Sequence, residues 1–368
     1  MKVLNIAKYY YPSVGGMETY VRQLCSGMRN NGIESSVIAI NNIPRMKTGW
    51  ETIDNVPVRR VACQFRLFSQ PISLSFGHEM KCLISEADIV HLHSPFPNAE
   101  IFTNSFTSKP LVVTWCADPV NTRWRIIFPL FRPALIRILE VAKKIILIGS
   151  NLLEHSPTLA PYQHKCDVIS LAYSNTKENS FIPTVKKLHM AKPTILFVGK
   201  LRKYKGVEYL IRALHYLPDV LLRVVGNGEE GQKLRNIAGK LGIDSRITFL
   251  ENVSNENLTS EYKKADLFVL PSVDASEAFG IVQAEAMSYG LPVINTNLPS
   301  SVPFVSLDEV TGITVPPRDP IALAAAIKRL CNEPIFYEKC SRNALQRAKF
   351  FCEETMIEKY ANIYRACV

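Results

Sequence analysis

A chain of 368 residues with 47% apolar and 21% charged residues has an ordinary globular composition, and at that length two domains are the default expectation. No stretch approaches the roughly 20 apolar residues needed to span a bilayer; the longest candidate, 126–142, is broken by Arg132, Arg137 and two prolines. The nine cysteines show no C-x-x-C spacing, which points to reduced thiols rather than a disulfide framework or a zinc site.

In chain order, 2–8, 35–40, 56–62, 87–93, 110–116, 144–149 and 167–172 read as strands, with helical patterns between most of them, starting at 17–30. The polar stretch 174–193 has no periodicity and is flanked by proline, so it reads as a linker. The pattern then restarts with strands at 194–199, 221–226, 246–250, 266–270 and 292–295, again alternating with helices. Strand–helix alternation predicts parallel sheets covered on both faces. The expected division is 1–173 as the first domain, 174–193 as linker and 194–348 as the second domain. A last helix, 349–368, is expected to pack back on the first domain. Ligands of such sheets bind outside the carboxyl ends of the strands, which places the site in the cleft between the domains.

The formal charge of +10 asks for an anionic partner. No run of Lys and Arg interleaved with aromatics suggests a nucleic-acid surface. The charge concentrates in VRRVACQFRLF (58–68) and in 122–144, where Arg123, Arg125, Arg132, Arg137, Lys143 and Lys144 face a single acid, Glu140. Basic residues beside large apolar ones suit an anionic membrane surface; the plainer reading is a core helix with a solvated basic face. MKVLNIAK has five residues between its lysines, too short for a signal-peptide core. The expected location is cytoplasmic, with peripheral attachment to the inner face of the plasma membrane as its extension.

The most informative stretch is 272–293, where Glu277 and Glu285 stand eight residues apart. The apolar run 265–271 before it reads as a buried strand ended by proline. Phe279, Gly280 and Ile281 then open a helix, so Glu277 lies in the loop above it and Glu285 about a turn and a half inside. Free amides at a helix start favour a phosphate, and two carboxylates accept hydrogen bonds from hydroxyls. Phosphate plus hydroxyl-bearing rings describes a nucleotide sugar. Read from spacing alone, two surface glutamates near a helix end fit equally well.

With Glu277, Phe279, Gly280, Glu285, Ala286, Gly290 and Pro292, the segment resembles the E-x7-E region of retaining GT-B glycosyltransferases, family 4. The resemblance extends along the chain: 10–21 is similar to that family's glycine-rich acceptor-side loop, 197–211 to its phosphate-binding strand–loop–helix, and 311–327 to its closing segment. It implies an α/β GT-B fold, two Rossmann-like doubly wound domains facing across a cleft. It also implies a glycosyltransferase of cell-surface polysaccharide synthesis, such as lipopolysaccharide, with a nucleotide-sugar donor, a glycan or lipid-linked acceptor and no cofactor.

Charge develops on the leaving diphosphate as the glycosidic bond breaks, and cations aimed there stabilise the transition state. The chain contains no D-x-D for a divalent metal, so Lys200 and Lys205 are expected to take that task. At the first of these positions the family carries an arginine, so Lys200 keeps the charge but loses the bidentate fork; Arg202 and Lys203 stand near. The resemblance assigns ribose hydroxyls to Glu285, hydroxyls of the transferred sugar to Glu277, and sugar and phosphate to the amides of Phe279, Gly280 and Ile281. Gly226 and Gly228 match the family's Gly-x-Gly turn near base and ribose. Gly15 and Gly16 let backbone approach a ligand closely, with Tyr9, Tyr10 and Glu18 as acceptor-side candidates. The departure is Cys116, which stands where relatives carry a histidine; His93 is a partial substitute. A catalytically impaired scaffold is therefore an alternative. A more remote one is a dinucleotide-dependent oxidoreductase, since GNGEEG (226–231) fits G-x-G-x-x-G with Glu251 twenty residues beyond.

Overall fold

The computed structural model describes residues 1–13, 15–43, 46–67, 70–116, 128–173, 183–187 and 192–368. The chain divides into two compact units, one made of Met1–Leu171 with Glu353–Val368, the other of Ala172–Cys352.

In the first unit the strands are β1 Lys2–Ile6, β2 Glu34–Ile40, β3 Gly49–Ile53, β4 Val56–Val61, β5 Phe65–Leu67, β6 Gln70–Ile72, β7 Ile89–Ser94, β8 Leu111–Trp115, β9 Lys144–Leu147 and β10 Cys166–Val168. Eight of them form one sheet in the order β10-β9-β8-β7-β1-β2-β4-β3. Its neighbours are parallel except for β3 against β4. The inner strands are runs of Val, Ile and Leu with no exposed face, as in Val37–Ile40 and Leu111–Trp115, because crossover helices cover both sides. The chain steps from β1 to β2 on one side and returns to β7 on the other. The carboxyl ends of β1 and β7 therefore flank the switch point, where a doubly wound sheet opens a crevice.

The helix Gly16–Met28 buries Tyr20, Val21, Leu24, Cys25 and Met28 along one stripe. The last helix, Glu353–Cys367, lies in this unit and buries Met356, Ile357, Tyr360, Ala361, Tyr364 and Cys367. Its tyrosines reach into the sheet: Tyr20 Oη donates to Tyr360 Oη at 2.6 Å, Tyr360 pairs with Thr114 Oγ1 at 2.8 Å, and Tyr364 pairs with His91 Nδ1 at 2.6 Å.

The second unit holds β11 Thr194–Val198, β12 Leu221–Val225, β13 Ile247–Leu250, β14 Leu267–Val269, β15 Val293–Thr296 and β16 Gly312–Val315. They form a parallel sheet ordered β13-β12-β11-β14-β15-β16, so its switch point lies between β11 and β14. Part of the stretch read as linker is fastened here, since the Lys186 amide donates to Ser341 Oγ at 2.8 Å and its ammonium to Ala265 O at 3.1 Å. The rest of that stretch, 174–182 and 188–191, lies outside the described residues.

Three elements escape a reading by apolar runs. β3, GWETI, is an edge strand with little buried surface, and its turn to β4 uses Asp54 and Asn55 at φ 50° and 62°, the left-handed pair of a tight hairpin. The β5–β6 hairpin has three residues a side, too short for a period to show. Among the described residues no helix is long and apolar enough to cross a membrane.

The basic segments are tied into this framework. Arg59 pairs with Glu79 at 2.9 Å, and Arg60 is buried between Glu51 and the carbonyls of Tyr10 and Tyr11. In the helix Phe128–Val141, Leu135, Ile138 and Leu139 are buried. Arg137 pairs with Glu140 at 3.2 Å, Lys143 donates to Cys367 O at 2.8 Å, and Lys144 pairs with Asp167 at 2.7 Å. Arg123 and Arg125 lie outside the described residues.

Candidate active site

The exits of β11 and β14 bring the second unit's charged residues together. After β11 the chain passes Gly199 and exposed Lys200, makes a short 3-10 turn Lys203–Lys205, and enters the helix Val207–Leu214 through Gly206. Gly206 sits at φ +66°, and a Cβ there would collide with the Pro271 carbonyl beyond β14; only glycine lets the two loops pass this closely. The Val273 amide donates to Tyr204 O at 2.8 Å and fixes that approach. In consequence Lys205, 8% exposed, forms an ion pair with Glu277, 7% exposed, whose Oε2 also accepts from Ser272 Oγ at 3.0 Å. Burial pushes the Lys205 ammonium toward the neutral form, but the Glu277 carboxylate outweighs it and holds the pKa above the ordinary lysine value. Arg202 and Lys203 lie exposed on the same loop.

Beyond Glu277 the chain turns through Gly280 at φ +71°, so the helix begins at Val282 and runs only to Ser288. It starts later than the sequence suggests because left-handed Gly280 breaks the helical run. Among the described residues the amides of Phe279, Gly280, Ile281 and Val282 have no acceptor, as expected ahead of a first helical turn. Phe279 is 3% exposed, its ring edge-on to Phe351, so the ring is part of the core rather than a ligand-facing surface. Glu285 is half-buried on the helix and accepts from Tyr262 Oη at 2.9 Å. Burial raises its carboxyl pKa, with the Tyr262 bond opposing, and Tyr262 is itself stacked on Tyr289 at 5.2 Å.

The glycines of GNGEEG answer to the protein's own backbone. A Cβ on Gly226 would strike Gly199 O and one on Gly228 would strike the backbone of Leu201, both from the β11 exit. The Leu201 amide donates to Asn227 O at 2.8 Å across the same seam. Glu230 pairs with Lys233 at 2.9 Å, and Glu251 with Arg235 at 2.7 Å. The turn thus packs against the loop that leaves β11, and the acid that the dinucleotide pattern would reserve for a ribose is engaged by an arginine.

In the first unit the candidates gather at the carboxyl ends of β1, β7 and β8. Tyr9 is half-buried, with Lys8 5.3 Å and Arg66 6.0 Å from its ring centroid. Tyr10 is fully buried beneath Arg60, so it is a core residue rather than an acceptor-side surface. A Cβ on Gly16 would meet nothing within 4 Å, whereas on Gly15 it would meet the Glu18 carboxylate folded back over the loop; Gly16 is the one open to a ligand. His93 is 6% exposed, packed edge-on to Tyr20 and beside His91, with Nε2 on Asn5 Oδ1 at 3.2 Å. Burial lowers its pKa to about 3, so it is a neutral imidazole. Cys116 is 6% exposed, its amide donating to Ser94 O at 3.0 Å; burial, then the nearby Glu100, pushes its thiol pKa well up.

The model of the group 1 glycosyl transferases matches residues 179–347, and that of glycosyltransferase family 4 matches 14–172. The D-rhamnosyltransferase WbpZ of Pseudomonas aeruginosa is 31% identical over 94% of this chain and 91% of its own. The chain belongs to this glycosyltransferase family. The O-antigen chain mannosyltransferase C of Escherichia coli is 29% identical over 99% of this chain and 98% of its own. Among solved structures, a sucrose-phosphate synthase from Thermosynechococcus elongatus superposes with TM-score 0.79 at 21% identity, over 99% of this chain and 98% of that one. Each unit of this glycosyltransferase is accordingly a Rossmann-like half of the GT-B fold.

Two groups of buried polar residues were not singled out from the sequence. Ser272 and Tyr262, which hold Glu277 and Glu285, are found only once the loops fold. Glu100 is the other: 3% exposed, it accepts from Ser94 Oγ at 2.6 Å and from the Phe96 amide at 2.9 Å. A single acid within 94–102 was the signal available for it.

Proposed function

We propose that this glycosyltransferase moves a hexosyl unit from a UDP- or GDP-linked donor to a glycan or lipid-linked acceptor of a cell-surface polysaccharide, with retention of configuration and without a divalent metal. The observation that carries the reading is the buried Lys205–Glu277 pair at the β11/β14 switch point, followed in the chain by the amides of 279–282, which have no acceptor among the described residues. Lys205, with Lys200 on the same loop, offers positive charge to a leaving diphosphate. The amides of 279–282 suit its oxygens, Glu285 suits ribose hydroxyls and Glu277 suits the sugar. The donor's bond from the anomeric carbon to phosphate oxygen breaks, the acceptor oxygen bonds that carbon on the same face, and the acceptor's proton passes to the leaving phosphate. Rhamnosyl and O-antigen mannosyl transfer by the relatives support the polysaccharide assignment.

An anionic membrane surface is part of the proposal. Its support is now the β5–β6 hairpin, where Phe65 is 53% exposed beside exposed Arg66; binding to anionic vesicles should fall as salt rises.

The test is transfer and hydrolysis with UDP-glucose, UDP-galactose, UDP-N-acetylglucosamine and GDP-mannose, in saturating EDTA and with added Mg²⁺ or Mn²⁺, with the product anomer read by NMR. Activity unchanged by EDTA and a retained anomer are expected. An absolute metal requirement or an inverted product would overturn those parts. No transfer from any donor, with weak nucleotide binding, would favour the impaired-scaffold alternative raised by Cys116.

A further inference from the structure

The first unit has a concavity at the end of its sheet where the strands begin. It holds about 670 Å³ between the amino ends of β1, β2 and β4, the β3–β4 hairpin and the ends of the helices Gly16–Met28 and Phe76–Glu86, within the roughly 300–1,000 Å³ usual for small-molecule sites. Doubly wound sheets present nucleotides to the carboxyl ends of their strands, so the proposed transfer makes no use of this end. The buried lining is apolar: Cys25, Ile33, Val56 and Ala87. Trp50 of edge strand β3 also lines it and is 55% exposed, a large apolar ring left unburied. Arg59, opposite Trp50 in the β3–β4 register, sets its guanidinium 5.5 Å from the indole centroid while pairing with Glu79 at 2.9 Å, so the ring is braced. The polar lining is short of partners. Ser35 Oγ is fully buried and has none among the described residues. Nor, among those residues, do the side chains of Lys2, Arg29, Glu34 and Glu86 form a hydrogen bond or ion pair. Two cations beside two acids leave no net charge to attract an anion, which fits a neutral ligand.

We propose that this cavity binds carbohydrate, with Trp50 as the stacking platform and Ser35, Arg29 and Glu34 as hydrogen-bond partners of sugar hydroxyls. A sugar hydroxyl both donates and accepts, so it satisfies carboxylates, hydroxyls and cations alike, and the C–H face of a pyranose covers an aromatic ring as an apolar surface does. The site goes beyond the transfer reading and rests on it in one respect, that the carbohydrate is the glycan being extended. A polymer held here keeps its end at a raised effective concentration near one enzyme molecule, so long acceptors gain more from the site than short ones.

The experiment titrates the full chain, without donor or nucleotide, with mannotetraose and with a D-rhamnose tetrasaccharide, the sugars named for the two relatives. Binding is read by saturation-transfer NMR and tryptophan fluorescence. The wild type is expected to bind at least one of the two. Trp50→Ala should weaken that binding roughly tenfold, while Trp50→Phe keeps an aromatic face and most of the affinity. Arg29→Ala and Glu34→Ala change exposed side chains and should each weaken it several-fold with the urea midpoint unchanged, so the site is tested even where Trp50→Ala does not fold. No binding of either tetrasaccharide by the wild type, or equal binding by the wild type and the alanine variants, overturns the proposal. So does a wild-type dimer that Trp50→Ala dissociates in sedimentation, since a second copy of the chain is then the occupant. A wild type that binds oligosaccharide through Trp50 yet turns over no donor removes the proposed function and leaves this site. One that turns over donor but binds neither tetrasaccharide removes this site and leaves the function.

Discussion

Lys205 and Glu277 neutralise each other in the structure, and that has consequences for what each variant does. A diphosphate reaching Lys205 must displace or share it with Glu277, so removing the carboxylate charge takes away a competitor. Glu277→Gln is therefore expected to tighten binding of UDP or GDP alone, by roughly tenfold or about 1.4 kcal/mol, while transfer slows. Lys205→Ala leaves a buried carboxylate without its cation, a change that typically costs about 3–5 kcal/mol, and should weaken nucleotide binding as well as stability. Calorimetric titration of both variants with the nucleoside diphosphate checks the opposite signs; equal weakening in both would show that Glu277 does not compete. Burial also governs the reactivity of Cys116. A thiol that is 6% exposed with a raised pKa reacts slowly, because the thiolate is the nucleophile. Iodoacetamide should leave it unmodified with or without donor, as mass spectrometry of the native protein would show; fast modification blocked by donor would place it in an open pocket.

At the scale of elements, the last helix is held by side chains rather than by chain connectivity. Tyr360 and Tyr364 carry their hydroxyls into a buried network of Thr114, His91 and Tyr20. Each hydroxyl satisfies a group that has no water to turn to, so deleting one strands its partner. Tyr364→Phe should lower the stability of the first unit by about 1–3 kcal/mol, seen as a lower urea midpoint, with nucleotide affinity unchanged because the second unit is untouched. The tandem alternation of strand and helix was legible in the sequence because buried parallel strands are dense apolar runs. β3 was not, since GWETI is an exposed edge whose only clue is the Asp54-Asn55 turn. Helix Val282–Ser288 was legible in kind but not in start, since nothing in the letters said that Gly280 would be left-handed.

For the whole molecule, two buried neutral histidines set an acid limit. His91 and His93 have folded pKa values pushed down by burial, His93 to about 3, against about 6.5 when unfolded. Below about pH 6.5 the unfolded chain takes up protons that the folded one refuses, so stability falls as pH falls, by up to about 1.4 kcal/mol per unit for each histidine. Denaturant midpoints of the first unit should therefore drop between pH 7 and pH 5. His93→Gln should flatten that slope, and a midpoint independent of pH in this range would show that the histidines are solvated.

Glu277, Glu285, Lys200, Lys205 and the glycine loop at 15–16 could be singled out from the letters, because phosphate and hydroxyl recognition needs particular residue types at strand ends, and strand ends are marked by apolar runs that stop. The sequence by itself therefore determined the family and the doubled α/β layout, and it singled out the candidate donor-side residues. Only the tertiary structure decided how those residues are held. It paired Lys205 with Glu277, turned Gly226 and Gly228 toward their own backbone, withdrew Tyr10 and His93 into the core, and brought Glu100 under the β7 exit. Those outcomes depend on which distant loops meet and how much water they exclude, and burial and partner choice are properties of packing that no local spacing encodes.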